Sequence, residues 1–129
     1  MSAAANIVLA DGQTTPVNVT FYPESVSPER SSFVDRSPGI SAAFRRLIVK
    51  FSPASKTRAT SRPSYEVEYP VTAVVDGVTT VVRTLRANVQ LVEPDGCTDA
   101  ERKDLYAFLY NGLNNALIKG AMRDYDPIF

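Results

Sequence analysis

Apolar and polar residues alternate with a period of two through most of the chain, and the period lengthens to three or four only after Pro94, so strands are predicted to precede helices. Ile7-Val8-Leu9, the turn signal Asp11-Gly12, and Val17, Val19 and Phe21 alternating with Asn18 and Thr20 predict a hairpin within residues 1–22. Residues 23–43, with Pro23, Pro28, Pro38 and many serines, predict a long connection holding at most one short strand around Phe33 and Val34. From Phe44 the alternation sharpens, with Leu47, Val49 and Phe51 on one side and Arg46, Ile48 and Lys50 on the other. Ser52 to Pro63 reads as a polar loop carrying Lys56, Arg58 and Arg62, bounded by prolines that neither neighbouring strand tolerates. Tyr65, Val67 and Tyr69 then oppose Ser64, Glu66 and Glu68. Pro70 predicts a bend or bulge, and Val71, Ala73 and Val75 continue in the same phase. Asp76-Gly77 is a hairpin signal, after which Leu85, Ala87, Val89 and Leu91 alternate with Thr84, Arg86, Asn88 and Gln90. The main sheet is expected over residues 44–94.

Pro94-Asp95-Gly96 ends the strands. Thr98-Asp99-Ala100-Glu101 is a capping box, in which a threonine and a glutamate three positions on satisfy free backbone N–H groups. Leu105, Phe108 and Leu109 recur at helical spacing, Gly112 marks a break or kink, and Leu113, Leu117, Ile118 and Met122 carry the stripe into a second helix within residues 98–123. The close, Tyr125-Asp126-Pro127-Ile128-Phe129, is too short for another element and apolar enough to be expected docked against something. Strands followed by helices, without repeats, make residues 1–129 a single α+β domain.

Composition narrows the chemistry. The chain has no histidine and one cysteine, Cys97, so no disulfide forms within it, and the commonest general base and metal ligand are both missing. Neither an enzyme nor a metal site is expected, and no cofactor or small-molecule substrate is implied. Glu66 and Glu68 stand two apart on a strand without an evident pocket, which reads as a polar face rather than an acid–base pair. Cys97 precedes a helix cap but has no base to activate it. There is no basic, apolar leader and no run of eighteen apolar residues, so neither a signal peptide nor a membrane span is predicted.

Fourteen basic and fourteen acidic residues cancel, but unevenly. Between Arg45 and Gln90 eight basic residues face three acidic ones, whereas the flanking parts are both acidic. A basic middle points to an anionic partner and favours nucleic-acid contact over a merely solvated face.

Two helices totalling about 25 residues at roughly 1.5 Å rise each cover only part of one face of such a sheet. Two chains that joined sheet edges and exchanged helices would bury both apolar sides and remove an exposed strand edge. An intertwined dimer is therefore predicted, with Leu105, Phe108, Leu109, Leu113 and Leu117 in its shared core.

This order of elements resembles that of the coat proteins of leviviruses, the small single-stranded RNA bacteriophages. Asn6-Ile7-Val8-Leu9, Val81-Val82-Arg83-Thr84, Thr98-Asp99-Ala100-Glu101-Arg102 and the aromatic Phe129 carry the resemblance, which spans nearly the whole chain. It implies a helix-interlocked dimer whose continuous ten-stranded sheet faces the interior of a T=3 icosahedral shell, assembled in the cytoplasm of a bacterial host and forming the virion. It further implies packaging of single-stranded genomic RNA and repression of translation through an RNA hairpin.

The resemblance assigns RNA contact to Arg46, Ile48 and Lys50, to Arg62, Ser64 and Glu66, and to Arg86, Asn88 and Gln90. Arg86 stands where well-known members stack a tyrosine on a base, and Glu66 replaces a lysine. Contacts between dimers are implied for the loop Val75, Asp76, Gly77 and Val78, which lacks the cysteines that cross-link some shells. The alternatives from other classes are a dimeric, sheet-based cellular RNA-binding module and, behind it, a small enzyme with a carboxylate site.

Overall fold

A computed structural model describes residues 2–57 and 59–129; the basic loop position Arg58 lies outside them. The chain divides into two compact units, one ending at Val92 and the other Glu93–Phe129. Among the described residues, six strands make one antiparallel sheet in chain order: β1 (Ile7–Ala10), β2 (Asn18–Ser25), β3 (Arg30–Asp35), β4 (Arg45–Lys50), β6 (Ser64–Val75) and β7 (Val78–Gln90). The two-residue strands β5 (Thr60–Ser61) and β8 (Glu93–Pro94) are not members of it, and helices α1 (Asp99–Leu113) and α2 (Ala116–Arg123) follow.

The first hairpin forms, but through a loop of residues 11–17 rather than a tight Asp-Gly turn. Asp11 closes it. Its N–H donates to the Val17 carbonyl at 2.9 Å, and its carboxylate accepts from the backbone N–H groups of Gln13 and Val17. β2 then runs on through Pro23, which the composition alone places in a connection. The ladder with β1 ends at Phe21, so the proline sits where one side of β2 has no neighbour. Glu24 is the extra residue of a bulge, because Pro23 opposes Phe33 while Ser25 opposes Ser32.

The expected connection also contains β3, a six-residue inner strand with Ser32, Phe33, Val34 and Asp35 all buried. A strand covered on both faces shows no alternation, so the pattern understates it. Phe21, Phe33 and Leu47 form the buried cluster, with Ile7, Val19 and Val67 packed against it; Leu47 is 1% exposed.

β6 and β7 form the long hairpin. Pro70 is accommodated within β6, opposite Thr84, and the irregularity lies just beyond it, where Val71 pairs with Arg83 but Thr72 with Val81, leaving Val82 as the extra residue. At the tip Asp76 and Gly77 both have positive φ, 50° and 78°, the pair that defines a type I′ turn matched to the right-handed twist of the strands.

The second unit begins with the predicted cap. Thr98 Oγ1 accepts from the Glu101 N–H at 3.2 Å, and Glu101 Oε2 accepts from the Thr98 N–H at 3.3 Å. Asp99 in the first turn pairs with Lys103 at 2.7 Å and Arg102 at 3.3 Å. The helix does not break at Gly112, which stays inside α1. The break falls at Asn114 and Asn115, where the Asn115 side chain accepts from the Leu117 N–H and caps α2. The Asp126 N–H donates to the Gly120 carbonyl and turns the tail back along α2, and Tyr125, Ile128 and Phe129 are exposed in the single chain.

Candidate nucleic-acid interface

Residues directly opposite across an antiparallel ladder project to the same side, so the registers fix the two faces. One face carries three rows across β4, β6 and β7: Arg46, Glu68, Arg86; then Ile48, Glu66, Asn88; then Lys50, Ser64, Gln90. β3 extends these rows with Val34, Ser32 and Arg30. Eight of the nine residues assigned to RNA contact therefore share one surface. Arg62 does not join their ladder; it lies in the segment before β6, with its N–H bonded to the Ser52 carbonyl.

The surface is charged but nearly self-neutral. Arg46 meets Glu24 in a two-pronged pair, Nε to Oε2 at 3.1 Å and a terminal guanidinium nitrogen to Oε1 at 3.3 Å. Lys50 Nζ lies 3.1 Å from Glu66 Oε1. Hydrogen bonding from Arg46 outweighs the opposing effect of desolvation and, reinforced by the Arg46 charge, holds the Glu24 carboxyl below its ordinary range. Four cations, Arg30, Arg46, Lys50 and Arg86, thus stand with three carboxylates, Glu24, Glu66 and Glu68. Among the described residues, Arg86 has no carboxylate within ion-pair distance and is exposed, as are Asn88 and Gln90.

Three features escape a linear reading. The five-charge excess of the middle segment does not gather here: Arg45 and Arg83 alternate to the opposite face, and Lys56 and Arg62 sit in the connection. Ile48, though on the charged face, is only 4% exposed, and Val34 beside it is fully buried, because long charged side chains lie across these small apolar ones. Glu24 carries no local signal in the sequence, since only the bulge after Pro23 brings it across β3, with Ser32 Oγ 3.4 Å from its Oε2.

The opposite face is apolar and open. Val49, Tyr65, Tyr69 and Leu85 remain exposed on it, beside a depression of about 450 Å³ lined by Leu9, Phe21, Arg45, Leu47, Tyr65 and Tyr69 among others. Partial desolvation beside that depression pushes the Tyr65 phenol upward. In the second unit no residue of either helix is buried: Phe108 is 76% exposed and Leu117 66%, with Leu105 and Leu113 also exposed and Leu109 half-buried. The tip residues Val75 and Val78 pair with each other and are exposed.

The family model for levivirus coat proteins matches residues 2–129. The chain belongs to the levivirus coat protein family. That membership decides against a cellular RNA-binding module, and levivirus coat proteins are structural rather than enzymatic. Solved structures agree in fold. The chain is similar to the coat protein in the virus-like particle of bacteriophage ESE058, with 26% identity, a TM-score of 0.85, and 99% of this chain and 100% of that one covered. It is likewise similar to the virus-like particle of Beihai levi-like virus 21, at 25% identity and TM-score 0.86 over 99% of both chains. For bacteriophage NT-214 the values are 24% and 0.86, over 99% of this chain and 100% of that one. No curated protein sequence matches. The levivirus coat fold, an antiparallel sheet of six strands followed by two helices, is the α+β order that the hydrophobic pattern predicts.

Proposed function

We propose that this chain is a capsid subunit that dimerises, builds a T=3 icosahedral shell in a bacterial cytoplasm, and holds single-stranded RNA on its charged sheet face. The observation that carries the reading is the absence of any buried residue in α1 and α2. So many large apolar side chains exposed on two helices are unfavourable in water unless something covers them, and the open apolar side of a second chain's sheet is chemically suited to do so. The edge of β7, thirteen residues long, supports a sheet continued into that second chain. Within this reading Leu105, Phe108, Leu109, Leu113 and Leu117 form the dimer core, and Val75 to Val78 meet neighbouring dimers.

RNA on the charged face is supported by the common orientation of Arg46, Lys50, Arg86, Asn88 and Gln90. Guanidinium and ammonium groups pair with phosphates, amides read base edges, and Arg86 offers a planar surface on which a base stacks. An RNA hairpin held there would serve as a translational operator. The reading is tested by light scattering on the purified protein, negative-stain microscopy, and extraction of nuclease-protected RNA. Uniform shells containing RNA are expected. A stable monomer in dilute buffer overturns the assembly, and empty shells formed in cells overturn the RNA assignment.

A further inference from the structure

The carboxylates on the charged face occupy places that a phosphate would otherwise take. Glu24 reaches across β3 from its bulge to grip Arg46 with both oxygens, Glu66 holds Lys50, and Glu68 lies in register between Arg46 and Arg86. A bare cationic surface follows charge density and favours duplex nucleic acid, whose phosphates are most closely spaced. This surface has one net positive charge, and a phosphate that approaches either paired cation meets the carboxylate that cation already holds.

We propose that Glu24 and Glu66 are specificity-determining residues that make the face select unpaired RNA nucleotides over duplex RNA. A duplex hides its base edges and offers this surface mainly phosphates, which repel the carboxylates, with only sugar 2′-hydroxyls as donors to them. An unpaired nucleotide brings N–H donors of its own, the exocyclic amines of adenine and cytosine or the N1 and N2 groups of guanine. Those donors satisfy Glu66 or Glu68 while Asn88 and Gln90 bond neighbouring edges and Arg86 stacks. The same carboxylates that repel a phosphate-rich ligand thus become acceptors for a base-rich one.

This inference rests on the reading that RNA binds the charged face. Its test uses full-length protein, a short labelled single-stranded RNA of mixed sequence, and the same strand annealed to its complement, with binding followed by fluorescence anisotropy across a salt series. The natural protein is expected to hold the single strand about tenfold more tightly than the duplex. A Glu24→Gln/Glu66→Gln variant is expected to gain about tenfold for the duplex, with the slope of log affinity against log salt steeper by about one to two as freed cations engage phosphates. Equal affinity of the natural protein for both RNAs overturns the inference even if the variant fails to fold. So does a folded variant whose duplex affinity is unchanged or lower. If the natural protein binds neither RNA at low salt, the RNA reading itself falls.

Discussion

Arg45 holds its guanidinium carbon 4.6 Å from the centre of the Tyr69 ring, across the β4–β6 ladder on the apolar face. The same side chain lies 3.7 Å from Asp35, a buried carboxylate that also accepts from the N–H and hydroxyl of Ser37 at 3.0 Å each. Replacing Arg45 with methionine keeps much of the volume but removes the cation. Because Ser37 remains as a partner and Arg45 is partly exposed, the expected loss is about 1–2 kcal/mol, below that of a fully buried pair. Urea unfolding of the purified protein measures it, and an unchanged midpoint contradicts the arrangement.

Leu47 stands between Phe33 on β3 and Val67 on β6, in the middle of the buried cluster. Leu47→Ala removes side-chain volume where three aromatic or branched neighbours cannot collapse fully, so a loss of about 2–5 kcal/mol is expected. By contrast Val49→Ala, at an exposed position on the same strand, should cost clearly less. Comparing the two midpoints separates core packing from strand propensity.

Phe108 gives a test of association because its burial differs between the alternatives. In a lone chain, a substitution at so exposed a side chain stays within about 0.5 kcal/mol. In a helix-interlocked dimer, Phe108→Ser removes a buried aromatic, and a loss of about 3–5 kcal/mol with concentration-dependent dissociation is expected. Light scattering on dilutions of both proteins reads the difference.

The pairing of Glu24 with Arg46 has a definite pH sense. Hydrogen bonding from Arg46 lowers the folded-state pKa of Glu24 below its ordinary 4.5, so the unfolded chain takes up this proton first as the solution is acidified. The stabilisation is complete above 4.5 and disappears as pH falls through the lowered folded value. A carboxyl-carbon NMR titration should show Glu24 titrating low in the natural protein and returning upward in Arg46→Ala.

Gly77 has φ of 78° with open space around its α-carbon, so a side chain there meets no neighbour and strains only the backbone. Gly77→Val is expected to cost about 1–2 kcal/mol, and Gly77→Asn, whose side chain tolerates the left-handed region, much less. Thermal unfolding distinguishes them; equal midpoints argue against the two-residue turn.

Elements whose two sides differ were legible in the sequence. β4, β6 and β7 alternate, the Thr98–Glu101 cap is a local motif, and Asp76-Gly77 encodes its own turn. β3 was understated because burial on both faces leaves no period to read, and β2 because a proline at a half-open edge looks like a chain breaker. The charged face was found as a set of alternate positions, but not its electrostatics. Which carboxylate meets Arg46 depends on a bulge that shifts Glu24 by one residue, and no local pattern announces that shift. Charge counted along a segment likewise could not reveal that Arg45 and Arg83 point away from Arg46 and Arg86.

Beyond Glu68 the ladder to β4 has ended, and the long hairpin continues toward Asp76 as a ribbon of two strands. From the irregularity at Val82 to the tip is about five residues, roughly 17 Å of extended chain. A ribbon of that length acts as a lever: a pivot of about 10° at its base swings the tip by roughly 3 Å. Bending at that single joint would therefore move the tip alone, because the part of β6 behind it is paired on both sides.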